Sequence, residues 1–263
     1  MEQPATLPTI GILGVGVIGS ALARGFATAQ PKYPLLLSSL DKGNMIELAA
    51  AFPERIKMAE NNQQVLDKAD WLIFALPTAQ GEAILRALRF RPEHKVINLL
   101  ADKNLKQIAE WIGPTAILAH IVPLSFVAQH FGPIVLYPHH EELIRLIAPL
   151  GELVVAKNPH EVHVFQAITG LMASFDTLLD NIVCWAETHG VDEMSAKAYT
   201  AAFFGAICRQ VAQAPAGRLH ELANEMTPGG INAMAKKYIA ENQAISAWIE
   251  ALSPVMKRLS NDH

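Results

Sequence analysis

Three glycines set the first chemical possibility in this chain. Gly14, Gly16 and Gly19 have G-x-G-x-x-G spacing, after the apolar run from Thr9 to Leu13 and ahead of Ile18, Leu22 and Phe26, which recur at every fourth position. A strand, a tight turn and a helix start in that order form a dinucleotide-binding turn. Gly14 permits the sharp turn off the strand. Gly16 removes a side chain so that a pyrophosphate can approach the backbone, and Gly19 lets the helix lie close on the strand. Val15, Val17 and Ile18 complete the turn, where the helix N-terminus presents free N–H groups and partial positive charge to phosphates. About twenty residues on, where the ribose is read, stand Ser38 and Ser39, with Asp41 and Lys42 just beyond. Two hydroxyls and a cation suit a 2′-phosphate, so NADP is the expected cofactor. Asp41 could instead accept from a free 2′-hydroxyl, which keeps NAD open.

A second informative stretch lies late in the chain. Thr227-Pro228-Gly229-Gly230-Ile231-Asn232 is a hard turn opening a helix, and it exposes backbone N–H groups at the positive helix end. It suits an anion or a polar substrate atom; the alternative is a plain turn between helices. Ten histidines include the adjacent His139 and His140 and the pair His160 and His163, but no H-E-x-x-H or cysteine cluster accompanies them. Solvated helix-end histidines and no metal site are expected.

The elements that must position these residues follow in chain order. Apolar runs at Leu35–Ser38, Ile56–Met58, Asp70–Ala75, Lys95–Leu100, Ala116–His120, Ile134–Tyr137 and Leu153–Ala156 read as strands. Helical patterns separate the earlier ones: Asn44–Phe52, a short helix capped by Asn61 or Asn62, Ala79–Leu88 capped by Thr78, and one ending at Ile112. Such alternation predicts a parallel, doubly wound α/β sheet of Rossmann type over residues 1–157. An all-α domain is expected over 158–263. In it nothing but one glycine interrupts a helix from Glu161 to His189, and that helix carries two apolar lines. A helix capped by Asp192 runs to about Ala214, Arg218–Glu225 gives a third, Ile231–Glu241 a fourth, and Ala244–Leu259 a last one kinked at Pro254. The apolar surplus predicts that this domain meets a second copy of itself, forming a homodimer or a higher oligomer.

Composition excludes several classes. Hydrophobic residues make up 51% of 263 and charged residues 17%, which is a core-forming mixture. A net charge of −4 with no basic block argues against nucleic acid. No run of eighteen apolar residues stands out, so neither a transmembrane helix nor a membrane partner is expected. The N-terminus lacks the pattern of a secretion signal, and a cytoplasmic protein is expected. Cys184 and Cys208 are expected as buried free thiols.

Taken together, the glycine turn and the late Pro-Gly-Gly segment resemble the pyrroline-5-carboxylate reductase family. Met226–Asn232 is similar to its Ser/Thr-Ser-Pro-Gly-Gly-x-Thr signature, Ala167-Ile168-Thr169-Gly170-Leu171 to the Ala-Val-Thr-Gly-Leu that opens its long helix, and Ser38-Ser39 to a serine pair of some members. The resemblance covers nearly the whole chain. It implies an N-terminal Rossmann domain, a C-terminal helical dimerisation domain, and hydride transfer from NAD(P)H to a small cyclic imine, with proline synthesis as the type reaction. It places Asn232 and Thr227 at the catalytic turn, with Asn232 as the donor near the imine nitrogen. Gly229, Gly230, Ser174 and Asp176 fall on the substrate, and Ala75, Leu76 and Pro77 on the cofactor.

The chain departs from the family at Met172–Leu178, where only Ser174 survives of a Ser-Gly-Ser-Gly-Pro-Ala-Tyr segment. It departs again at Val122–Phe126, at Leu76-Pro77-Thr78, at Leu100-Ala101-Asp102 and at Asn232. Two rivals remain: a non-catalytic dinucleotide-binding dimer, and a beta-hydroxyacid dehydrogenase. The second would need a lysine in the long helix, and there is none between Glu161 and His189.

Overall fold

The computed structural model describes residues 7–260. The ends of both expected domains and the first residues, on which the secretion-signal expectation partly rests, lie outside that range. The chain forms two compact units, one that runs to Gln166 and takes up the chain again from Leu259, and one spanning Ala167–Arg258.

The first unit is built on an eight-stranded sheet. Its strands are β1 (Ile10–Leu13), β2 (Leu35–Ser38), β3 (Ile56–Met58), β4 (Trp71–Phe74), β5 (Lys95–Asn98), β6 (Ile117–Val122), β7 (Pro133–Tyr137) and β8 (Glu152–Val155), in the order β3-β2-β1-β4-β5-β6-β7-β8. The helices are α1 (Val17–Thr28), α2 (Gly43–Ala51), α3 (Asn62–Lys68), α4 (Thr78–Arg86), α5 (Leu105–Ile112), α6 (Glu141–Ile147) and the start of α7 (Pro159–Thr169). Side chains alternate between two faces, as a pleated strand requires. Ile10, Ile12, Leu35, Leu37, Ile73, Ile97 and Ile121 bury against Leu22 and Phe26 of α1, Leu48 of α2 and Leu146 of α6. Leu13, Leu36, Leu72, Phe74 and Val96 bury against Val65 of α3, Leu85 of α4 and Ile108 of α5. This is the expected doubly wound arrangement.

One strand departs from it. β7 runs antiparallel to β6, with His120 opposite Tyr137, and β8 is again parallel to β7. A short turn at Ser125–Gln129 joins β6 to β7, where no helix is available to carry the chain back for a parallel crossover. Thr78 is a further correction. It is the first helical residue of α4 rather than its cap, because Pro77 takes the cap position and bonds no N–H through its side chain. Asn61 does cap α3, accepting from the Gln64 N–H.

The second unit is helical: the end of α7, then α8 (Met172–Thr188), α9 (Glu193–Gln213), α10 (Leu219–Leu222), α11 (Ile231–Glu241), α12 (Ala244–Glu250) and α13 (Leu252–Ser260). The contact division falls inside α7, after Gln166, because Val162 buries with Val135 and Ala156 of the first unit. The expected helix 161–189 is two helices, α7 and α8, parted at Gly170 and Leu171. The third helix shrinks to α10. The last breaks at Ala251 into α12 and α13, since Pro254 offers no N–H to the Glu250 carbonyl and its ring clashes there.

Asp192 caps α9 through the Ser195 N–H. Phe175 of α8 meets Phe204 of α9 edge-to-face at 5.8 Å. No residue of α8 is buried, and Cys184 and Cys208 are free but exposed, not buried, because the outer faces of α8 and α9 have no cover within one chain. Taken through its break, Pro159–Thr188 is the one stretch among the described residues long and apolar enough, by length and composition, to cross a membrane. This departs from the expectation that no stretch passes that test.

Candidate functional site

The order β2-β1-β4 makes the carboxyl ends of β1 and β4 the point where the winding of the sheet reverses, and a crevice opens there. A cleft of about 540 Å³ occupies it, lined by Gly14, Val15, Gly16, Ser38, Ser39, Ala75, Leu76 and Pro77. The three glycines carry distinct constraints. Gly14 has φ +94°, and a Cβ on it would lie 2.3 Å from the Ala75 carbonyl oxygen. A Cβ on Gly19 would lie 2.1 Å from the Gly14 carbonyl oxygen. At Gly16 an added Cβ meets nothing within 4 Å, so the backbone there faces open space. Gly16 is also the N-cap of α1, and no side chain bonds the N–H groups of its first turn. A bare helix start behind an open glycine fits a pyrophosphate.

The ribose end is more occupied than the sequence suggested. Ser38 is buried, and its hydroxyl donates to Asn62 Oδ1 at 2.7 Å. Ser39 Oγ accepts from the Val15 N–H at 3.4 Å. Asp41 Oδ1 accepts from the Gly43 N–H at 2.9 Å and so serves the start of α2. Lys42 is the exposed N-cap of α2 and is not among the lining residues, and neither are Val17, Ile18 and Gly19. The sequence reading missed Asn44, Glu60, Asn61, Asn62, Gln80 and Ile84, which also line the cleft. Asn44 Nδ2 donates to the Val15 carbonyl at 2.9 Å, tying α2 to the glycine turn. Their signal was position: Glu60, Asn61 and Asn62 closely follow the end of β3, and Asn44, Gln80 and Ile84 lie in the helices that follow β2 and β4.

In the second unit the late turn has the expected form. Gly229 has φ +72°, the Gly230 N–H donates to the Thr227 carbonyl at 2.9 Å, and Gly230 is the N-cap of α11 with no side-chain cap. Asn232 is the second residue of α11; it and Thr227 are exposed. Ser174 and Asp176 are exposed on the first turns of α8. Thus eight of the expected cofactor residues, Gly14, Val15, Gly16, Ser38, Ser39, Ala75, Leu76 and Pro77, line one cleft, Val17, Ile18, Gly19 and Lys42 do not, and the remaining candidates divide between the α11 turn and the start of α8. Among the described residues no group of three or more His, Cys, Asp or Glu could hold a metal.

Residues 9–102 match the family described as NADP oxidoreductase, coenzyme F420-dependent. Over 124 residues, 47% of this chain, the sequence is 30% identical to a glycerol-3-phosphate dehydrogenase [NAD(P)+] of Cereibacter sphaeroides, and the match spans only 38% of that relative's length. Among solved structures, the pyrroline-5-carboxylate reductase of Streptococcus pyogenes superposes with a TM-score of 0.84 at 17% identity, covering 97% of this chain and 99% of that one. A Plasmodium falciparum pyrroline carboxylate reductase with NADP bound gives 0.83 at 15% identity, covering 98% and 99%. This chain has the pyrroline-5-carboxylate reductase fold.

Within that fold the sequence missed one further polar group. His120 of β6 is buried, and Asn98 of β5 donates to its Nδ1 at 3.0 Å. Burial, with the neighbouring His163 adding to it, pushes the His120 pKa down to about 4, so the ring is neutral with its proton on Nε2. Asn98 is itself fixed, accepting from the Leu100 N–H at 3.1 Å.

Proposed function

We propose that this protein is an NAD(P)H-dependent reductase of C=N bonds, acting on pyrroline-5-carboxylate or a related cyclic imine as a homodimer in the reducing cytoplasm. The observation that carries this reading is the likeness to pyrroline-5-carboxylate reductases over both units, 97% of the chain. The open backbone at Gly16 supports a dinucleotide, held by Gly14, Gly16, Ser39 and the Ala75–Pro77 segment. When bound, the reduced nicotinamide supplies a hydride. The chain's own task is placement: the α11 turn holds the polar end of the substrate on the N–H groups after Gly229, and the substrate binds as the protonated iminium, which brings the proton of the amine product and whose N–H the Asn232 side-chain amide meets through its oxygen.

NADPH is the preferred form in this reading. The NADP held by the similar Plasmodium falciparum reductase supports it, although Asp41 lines the cleft and keeps its second carboxylate oxygen free to accept from a ribose hydroxyl. Glu60, which also lines the cleft, favours NADH instead. Titrating the protein's fluorescence with each cofactor decides between them, and a lower Kd for NADH would reverse the assignment.

Asp176 sets the substrate class. If its charge lies near the substrate, like charges at 4 Å cost about 4 kcal/mol at an effective dielectric of 20, roughly a thousandfold in affinity. Pyrroline-5-carboxylate is then a poor substrate and a neutral or cationic imine a better one. Single-turnover NADPH oxidation with pyrroline-5-carboxylate is the test, run on the native protein and on Asp176→Asn, which removes the charge without the helix cost of glycine. Faster turnover by the variant is expected. Cofactor binding without oxidation by any imine would mark a non-catalytic dimer, and oxidation of glycerol 3-phosphate or a 3-hydroxy acid would replace the imine reading.

A further inference from the structure

A second cavity, of about 510 Å³, lies in the first unit and shares no lining residue with the glycine-turn cleft. It sits over β6 and β7, where His120 stands opposite Tyr137, between the start of α5 and the start of α7. Most of its wall is apolar, with Val162 and Pro138 among the contributors, and no acidic side chain lines it. Its nitrogen-bearing titratable groups are His120, His163, Lys103 and Lys106, and Asn104 and Tyr137 add an amide and a hydroxyl. Lys103 already pairs with Asp102 at 3.2 Å. Lys106 is exposed and stands in the first turn of α5, a place where the helix dipole disfavours a cation unless an anion accompanies it.

His120 shows what is missing. Its Nδ1 edge is held by Asn98, and its Nε2 is buried with no hydrogen-bond partner. A buried donor without an acceptor is unfavourable, and native structures rarely retain one without a reason. Asn98 is fixed from both sides, by the Leu100 N–H and by the Lys103 carbonyl, so the imidazole cannot turn to satisfy itself.

We propose that this cavity binds a small molecule with an apolar body and one carboxylate, which accepts from His120 Nε2 and pairs with Lys106. A carboxylate fits better than a phosphate group. The capping box of Asn104 and Gln107, in which each side chain accepts the other's N–H, takes up two of the N–H groups at the α5 N-terminus, so fewer are left there for a phosphate group. One in-plane donor and one flexible ammonium match two carboxylate oxygens and leave a third phosphate oxygen unmet. The apolar wall takes the rest of the ligand.

The test uses the full chain, labelled with ¹⁵N at histidine, titrated with cyclohexanecarboxylate, with the corresponding amide and with inorganic phosphate. The expected result is saturable binding of the carboxylate with a shift of the His120 Nε2 resonance, and binding of the amide weaker by about tenfold or more, the scale of one charge-assisted bond. Phosphate should leave that resonance in place. Lys106→Met, at an exposed position that leaves the fold and Tm unchanged, should weaken the carboxylate about tenfold. His120→Phe should abolish binding. No saturable binding, equal binding of the amide, full binding by Lys106→Met, or phosphate moving His120 as far as the carboxylate does would each overturn the proposal. None of these readouts uses a nicotinamide cofactor, so the result stands apart from the reductase reading.

Discussion

Gly16 and Gly19 differ by three positions and by opposite steric surroundings. Gly16→Val places its branches in open space, so the fold should survive with Tm nearly unchanged while NAD(P)H binding is lost. Gly19→Ala forces a methyl group into the Gly14 carbonyl, and overpacking of that kind costs about 1–3 kcal/mol. Urea unfolding together with cofactor titration separates the two, and a Gly16→Val protein that still binds NAD(P)H would remove the glycine turn from the cofactor site. His120 makes a second prediction at this scale. Its folded pKa lies below the ordinary 6.5, so the unfolded chain binds more protons between pH 6.5 and about 4. The stability in question is intact above pH 6.5 and drains away as pH falls through that window, by up to about 3 kcal/mol. Burial lowers the pKa of His94 in the same direction. The pH dependence of urea stability in His120→Gln should therefore be flatter than in the native protein; parallel curves would show that His120 does not carry it. The spacing of glycines was legible in the sequence because each answers to local backbone geometry. His120 was not, because its burial depends on Asn98, on another strand, and on α7.

Strand positions were legible for a similar reason: a strand covered on both faces must be a short apolar run, whatever its direction. Direction was not legible. β7 carries the same kind of run as its parallel neighbours, and what distinguishes it is that only a short 3-10 turn, and no α-helix, lies between Val122 and Pro133. Helix ends were legible at Asn61 and Asp192, where a side chain does the capping, but not at Asn104, whose cap the sequence analysis does not name, nor at Gly170 and Leu171, where backbone alone decides. The best-built cap is on α5, where Asn104 and Gln107 satisfy each other's N–H groups. Asn104→Ala should lower stability by about 1 kcal/mol, seen as a lower urea midpoint at unchanged slope. An unchanged midpoint would mean that burial of Ile108 and Ile112 alone holds the helix.

At the scale of the whole molecule, the helical unit leaves too much apolar surface uncovered for a lone chain in water. Trp185 is 63% exposed, Tyr199 74% and Phe203 48%, and Tyr199 stacks on Phe203 with no cover over the pair. Soluble monomers rarely show contiguous apolar patches of such extent. Two kinds of cover are available. A bilayer is disfavoured by Asp176 and Asp180, both exposed on α8, since a carboxylate at the membrane centre costs about 2.5–3.5 kcal/mol even on insertion scales. A second copy of the same face leaves those carboxylates at the polar rim while the aromatic residues are buried. It also explains why two apolar lines run along α8 when a single chain buries neither. We therefore predict a homodimer through α8 and α9. Sedimentation without detergent at micromolar concentration should show two chains, and Phe203→Asp, which sets a charge on the aromatic pair without touching the first unit, should give monomers that still bind NAD(P)H. A native monomer in that experiment, or a protein that stays dispersed only in detergent, would rule out the dimer.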